Sequence, residues 1–157
     1  MSNRKTNILA EMRVSKLEHL IGYHLRRASL LDLQGVAAAL ETVNTRIVPM
    51  SVLAVMVEYP GTTSAQICRI LGMQRANIVS ILAELEARGL FFREVDSSDQ
   101  RVQRLFPTQR GAEESSRWLN LLAEHERHMF GRLSDREQAE LRRLLSKLWQ
   151  EDEPRPV

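Results

Sequence analysis

The residues best placed to do chemistry are arginines beside a turn. In DSSDQRVQRLFPTQRG, Asp96 to Gly111, an acidic, serine-rich turn separates two short apolar runs, with Arg101 and Arg104 just after it. An arginine at the base of a tight turn can pair with Asp96 or Asp99 across it, or point into a narrow, electronegative minor groove. It can also do both, an aspartate orienting the guanidinium while its other donors face a nucleic acid. A second cluster, Tyr23, His24, Arg26 and Arg27, joins an aromatic ring, an imidazole and two guanidiniums. Arginine would suit an acid or phosphate and tyrosine stacking or a hydrogen bond. Taken singly, each of these residues is slightly better explained by helix-surface charge and packing.

Other reactive side chains lead to plainer readings. His125 and His128 stand at i and i+3 beside Glu124. A metal needs a further ligand from a definite partner helix, so solvated helix polarity is the expectation, with no metal and no cofactor. Cys68, the only cysteine, lies between Ile67 and Ile70 and reads as a small buried hydrophobe. Asp96 and Asp99 are turn formers, not an acid–base pair. The chain has no GxSxG, HExxH, Walker loop or GxGxxG, so no enzyme is expected.

The elements that must position these residues follow from periodicity. From Ser15 to about Glu41 apolar residues recur at helical spacing through Leu20, Leu25, Val36 and Leu40, predicting one long amphipathic helix with a bend near Gly35. PMSVLAVMVEYPG opens with a proline, closes with Pro60-Gly61, and is apolar enough to be a buried helix. TTSAQICRILG offers Thr63 and Gln66 in capping-box spacing, and MQRANIVSILAELEARG carries Ile78, Ile81, Leu82 and Leu85 on one face. Joined at Gly72, these two read as a helix-turn-helix. LFFREV and RVQRLFP, linked by DSSDQ, read as a β-hairpin. A long helix starts at Thr108 and ends near Gly131, a last one starts with Ser134 and Glu137 in capping-box spacing, and EDEPRPV is a frayed tail.

Composition sets the outer bounds. The 157 residues, 43% hydrophobic, suffice for one domain with dimerising extensions. The net charge of +2 does not by itself argue for nucleic acid, although only Lys5, Lys16 and Lys147 of the 22 basic residues are lysine. One cysteine excludes an intrachain disulfide. The N-terminus MSNRKTNILAEMR lacks a signal-peptide core, and no segment has membrane-spanning apolar length. A cytoplasmic protein with no membrane partner is expected.

A hairpin directly after a helix-turn-helix is the winged arrangement, in which one helix enters the major groove and the hairpin reaches minor groove or phosphate. The succession from Ser64 to Gly111, above all Leu85-Glu86-x-Arg88-Gly89-Leu90, then Asp96-x-x-Asp99-x-Arg101 and Thr108-x-x-Gly111, resembles the MarR (multiple-antibiotic-resistance regulator) family of winged helix-turn-helix transcription factors. The resemblance covers roughly residues 15 to 150. It implies a mainly α fold with a small hairpin wing, dimerisation helices over about 15–45 and 112–150, and a DNA-binding lobe over about 46–111. It also implies a homodimer on a pseudopalindromic double-stranded operator. Family members are mostly repressors, and many are released by a small aromatic or anionic ligand, such as an aromatic acid or its thioester, held between dimer helices and DNA lobe.

On that resemblance Gln74 to Gly89 is the recognition helix, and the DNA-binding set is Thr63, Ser64, Gln74, Arg75, Asn77, Ser80, Ser98, Arg101 and Arg104. Arg75 and Asn77 lead it, because arginine pairs with guanine and asparagine with adenine. The ligand-binding set is Tyr23, His24, Arg27, Met50 and Trp118, the last two as walls that could equally be ordinary core. The chain departs from the family pattern where Ser80 and Glu84 replace frequent arginines and Gln74 replaces a usual capping residue. Residues 69–104 hold six arginines against five acids, so DNA binding must rest on placed charges and a larger part for the wing. The alternative from another class is a helical dimer that recognises a protein.

Overall fold

The computed structural model describes residues 16–150; the N-terminal segment through Ser15 and the tail EDEPRPV lie outside the described residues. A short 3-10 turn, Lys16–His19, precedes α1 (Ile21–Glu41), then α2 (Ile47–Glu58), α3 (Ser64–Ile70), α4 (Arg75–Ala87), β1 (Phe91–Val95), β2 (Gln103–Pro107), α5 (Gln109–Met129) and α6 (Asp135–Trp149). This is the expected order. The strands are shorter than the apolar runs implied, leaving a loop over 96–102 that contains Arg101.

The core is built around α2, whose Pro49, Met50, Val52, Leu53, Val55 and Met56 are all buried. Leu40 of α1, Ile67 of α3, Leu85 of α4 and Trp118 of α5 close around it. Both expected capping boxes form: Thr63 with Gln66 and Ser134 with Glu137 each satisfy helix N–H groups that would otherwise lack partners.

The Thr108-x-x-Gly111 signature has a structural cause. Thr108 caps α5 by accepting from the Gly111 N–H at 3.0 Å while its hydroxyl donates to the Gly89 carbonyl at 2.8 Å. A Cβ on Gly111 would lie 1.8 Å from the Leu90 carbonyl oxygen, so only glycine lets α5 start against the end of the helix-turn-helix.

One expectation needs correction. α1 runs through Gly35, where a Cβ would lie 2.1 Å from the His125 ring. His125 accordingly is not solvated polarity, because its side chain is 14% exposed and meets Asp32 at 3.1 Å. By contrast, the apolar stripe of α1 is buried only at Val36 and Leu40, and Leu20, Ile21, Leu25 and Leu31 are exposed. α6 buries none of its residues and exposes Leu144, Leu148 and Trp149.

Candidate nucleic-acid interface and effector cleft

The burial of Ile78, Ile81, Leu82 and Leu85 fixes how α4 is turned. At about 100° per residue, the opposite face carries Ala76, Val79, Ser80 and Ala83, all exposed. Arg75 and Asn77 flank that face, also exposed, and Arg75 makes no hydrogen bond or ion pair among the described residues. Gln74 is the N-cap, yet its side chain caps nothing, so its amide is free to act outward. The Ser80 hydroxyl turns back to the Asn77 carbonyl at 3.3 Å. Val79, 69% exposed, was not among the sequence candidates. The helical period alone would have found it, since every neighbour at core spacing is a buried aliphatic.

α4 is held in place by two ion pairs in its last turn. Glu84 accepts from Arg46 at 2.7 Å. Glu86 takes a bidentate pair from Arg93 of β1, at 2.9 and 3.0 Å, which ties the wing to α4 and lowers the Glu86 pKa through that hydrogen bond. Arg88 donates to the Asn44 carbonyl at 3.1 Å and lies 5.0 Å over the Trp118 ring.

β1 and β2 pair antiparallel from Phe91↔Pro107 to Val95↔Gln103. The loop beyond them is organised by Asp96, which is 8% exposed. Its carboxylate accepts from the Ser98 N–H at 2.8 Å, the Asp99 N–H at 3.1 Å, the Ser98 hydroxyl and the Arg104 guanidinium. The Ser98 hydroxyl and N–H, then Arg104, hold its pKa far below the usual carboxylate range. Arg104 also donates to the Gly61 carbonyl at 3.1 Å, so its Nε and Nη1 are held at the foot of the wing. That foot is further tied by Gly61 N–H to Leu105 O and Leu105 N–H to Thr62 O, each 2.9 Å. Arg101 is the outward cation: it meets Asp99 at 3.1 Å with its side chain 91% exposed, and this pairing lowers the Asp99 pKa. Of the two options for an arginine at this turn, Arg104 takes Asp96 and Arg101 takes Asp99.

Thr63 and Ser64 lie half-buried at the start of α3, the Thr63 hydroxyl engaged in its capping box. Ser98 is exposed, its hydroxyl donated to Asp96.

The ligand candidates divide into two groups that the fold does not bring together. Tyr23, His24 and Arg27 contact one another near the start of α1, with Arg27 donating to the Tyr23 hydroxyl at 2.8 Å and His24 meeting the Glu18 carbonyl at 2.8 Å. Met50 and Trp118 belong to the core. A cleft of about 970 Å³ instead opens between the second half of α1, the α1–α2 turn and the end of α4. Leu33, Val36, Ala37 and Ile47 supply apolar wall; Thr45, Arg46, Glu84 and Arg88 supply polar groups. Thr45, 7% exposed, has a buried hydroxyl with no hydrogen-bond partner. Tyr23 lies about 15 Å of helix from Leu33. Sequence reasoning missed Thr45, Arg46 and Arg88 because the contact spans distant segments and no local pattern marks it.

Among the described residues, no three His, Cys, Asp or Glu side chains gather as a metal set, and Cys68 is buried. No helix is long and apolar enough to cross a membrane among those residues.

Comparison with known proteins agrees with the winged helix-turn-helix fold. The family model described as MarR family matches residues 45–102. The chain is 30% identical to the transcriptional repressor CouR in its structure with a 23-mer DNA duplex, with a TM-score of 0.81 over 87% of this chain and 97% of that one. CouR from Rhodococcus jostii RHA1, bound to p-coumaroyl-CoA, is 26% identical with a TM-score of 0.78 over 90% of this chain and 97% of its own. A Thauera aromatica protein described as a transcriptional regulatory protein for the hcr operon is 27% identical over 95% of this chain and 90% of its own.

Proposed function

The chain belongs to the MarR family of transcription regulators, and from that premise we propose a homodimeric repressor, held on a pseudopalindromic operator and released by an aromatic acid or its thioester. The observation that carries the DNA half is the outward face of α4 beside a loop that Asp96 fixes with Arg101 turned out. Insertion of α4 into the major groove would leave Arg101 to reach the flanking minor groove or phosphate. Arg75 and Asn77 then meet base edges, Gln74 and Ser80 their surroundings, and Thr63, Ser64 and Ser98 the backbone. Arg104 holds the wing, and its remaining donors reach the same phosphates.

Homodimerisation is supported by the exposed stripes of α1 and α6. Leu20, Ile21 and Leu25 on one helix and Leu144, Leu148 and Trp149 on the other would cost least when covered by the same surfaces of a second copy. Such a dimer sets two α4 helices on half-sites about one helical turn apart.

The effector half rests on the cleft and on CouR as a relative that binds p-coumaroyl-CoA. The apolar wall suits an aromatic ring, and Arg46 with Arg88 a carboxylate or phosphate. An anion that draws Arg46 from Glu84 acts directly on α4. The Arg46 side chain is 73% exposed, so the pair is worth at most about 1 kcal/mol. Breaking it is therefore easy, and it shifts DNA affinity by no more than about fivefold. The rest of the release comes from a ligand that fills the cleft and selects a dimer geometry unsuited to the half-sites. Titration of p-coumaroyl-CoA into the protein–DNA complex tests this: wild type should release DNA and Arg88→Ala should need at least tenfold more ligand. Equal release from both proteins would remove the cleft from the mechanism.

A further inference from the structure

We infer that Val79 reads a thymine 5-methyl group in each half-site, making a methyl contact the main sequence filter of α4. The inference rests on α4 being the groove-entering helix. Val79 is 69% exposed, although the other large aliphatics of the helix, Ile78, Ile81, Leu82 and Leu85, are buried. Its neighbours at i−3 and i+4 on the exposed face are Ala76 and Ala83, so the isopropyl group stands above a surface of methyl groups. The one hydroxyl on that face, Ser80, donates to Asn77 O at 3.3 Å and is turned from the groove. The pole of the helix thus presents carbon, with Arg75 and Asn77 at its margins.

Among major-groove edges only thymine carries a methyl group, at C5. Cytosine has a hydrogen at that place, which leaves an isopropyl group less carbon to cover, and a purine presents its N7 acceptor on that edge. An isopropyl group pressed against N7 would strip it of water and return no hydrogen bond. The same side chain therefore gains most from thymine, less from cytosine, and penalises a purine, and it does so without a charge. The near balance of cations and anions over residues 69–104 fits a readout of this kind, in which the wing supplies electrostatic affinity and α4 supplies selectivity.

The test is a cycle between protein and DNA methyl groups. Full-length protein selects duplexes from a randomised pool, and each thymine of the enriched half-site is replaced in turn by deoxyuridine, which removes the methyl group and keeps the base pair. One thymine should respond, wild type losing about fourfold per half-site and about fifteenfold on a symmetric duplex. Val79→Ala should bind the thymine duplex with that same loss and be indifferent to deoxyuridine at that position. Val79→Thr, which keeps one methyl, should fall between. Wild type and Val79→Ala responding equally to every deoxyuridine would overturn the inference and leave the DNA-binding reading intact. Failure to enrich any sequence would overturn both.

Discussion

Replacing Thr45 by valine exchanges a hydroxyl for a methyl of nearly the same volume at a site that is 7% exposed. The hydroxyl has no hydrogen-bond partner in the folded protein, whereas in the unfolded chain it is hydrated. Folding therefore costs its desolvation, about 1–3 kcal/mol, with nothing returned. Thr45 lies in the turn between α1 and α2, so helix propensity does not enter. Allowing for relaxation, Thr45→Val should be more stable by about 1–2 kcal/mol, raising the melting temperature by roughly 2–8 °C for a domain of this size. Because the hydroxyl oxygen has almost no accessible surface, the same change should leave p-coumaroyl-CoA affinity within about twofold of wild type. Differential scanning calorimetry at fixed protein concentration and isothermal titration with p-coumaroyl-CoA measure the two effects separately. A destabilised variant would mean the hydroxyl is satisfied and would refute the reasoning, and a large loss of ligand affinity would mean the ligand reaches Thr45.

Other substitutions probe the wing and the start of α5. Arg101→Ala, at a side chain 91% exposed, should leave the melting temperature unchanged, weaken DNA binding and reduce the salt slope by about one per subunit; a slope equal to wild type would take Arg101 off the DNA. Asp96→Asn should loosen the wing and flatten the acid limb of the stability curve. Because the folded pKa of Asp96 is depressed, its contribution is complete above the unfolded value of about 4 and is lost as pH falls through the folded one; an unchanged acid limb would mean that Asp96 is not the group being titrated. Gly111→Ala places a Cβ 1.8 Å from the Leu90 carbonyl oxygen and should destabilise by about 2 kcal/mol or more, read by chemical denaturation, with a near-neutral result contradicting the close approach of α5.

Much of this architecture was legible because it is local. Thr63–Gln66 and Ser134–Glu137 form capping boxes since the groups involved are three residues apart on one backbone, and the buried face of α4 follows from period alone. Cys68 sits in the core as its apolar neighbours implied. What stayed hidden depends on contacts between distant segments. Nothing near Arg104 in the sequence says that it will meet the Gly61 carbonyl, nor does Arg93 announce its partner Glu86. His125 looked solvated because its partners, Asp32 and the open flank of Gly35, lie on α1. The cleft is the clearest case. Its polar groups come from a turn and from the far end of α4, whereas the Tyr23–Arg27 cluster that the family resemblance brought forward lies elsewhere on α1. The resemblance suggested a ligand; only packing between helices makes the space to hold one.

Sequence-specific DNA recognition by α4 and the wing can be measured by fluorescence-anisotropy titration against DNA from upstream of the protein's own gene, beside a shuffled duplex and at stepped salt. The upstream DNA should bind tightly and the shuffled one more weakly, with affinity falling steeply as salt rises. Equal, weak affinity for both duplexes at low salt would refute recognition by α4 and the wing.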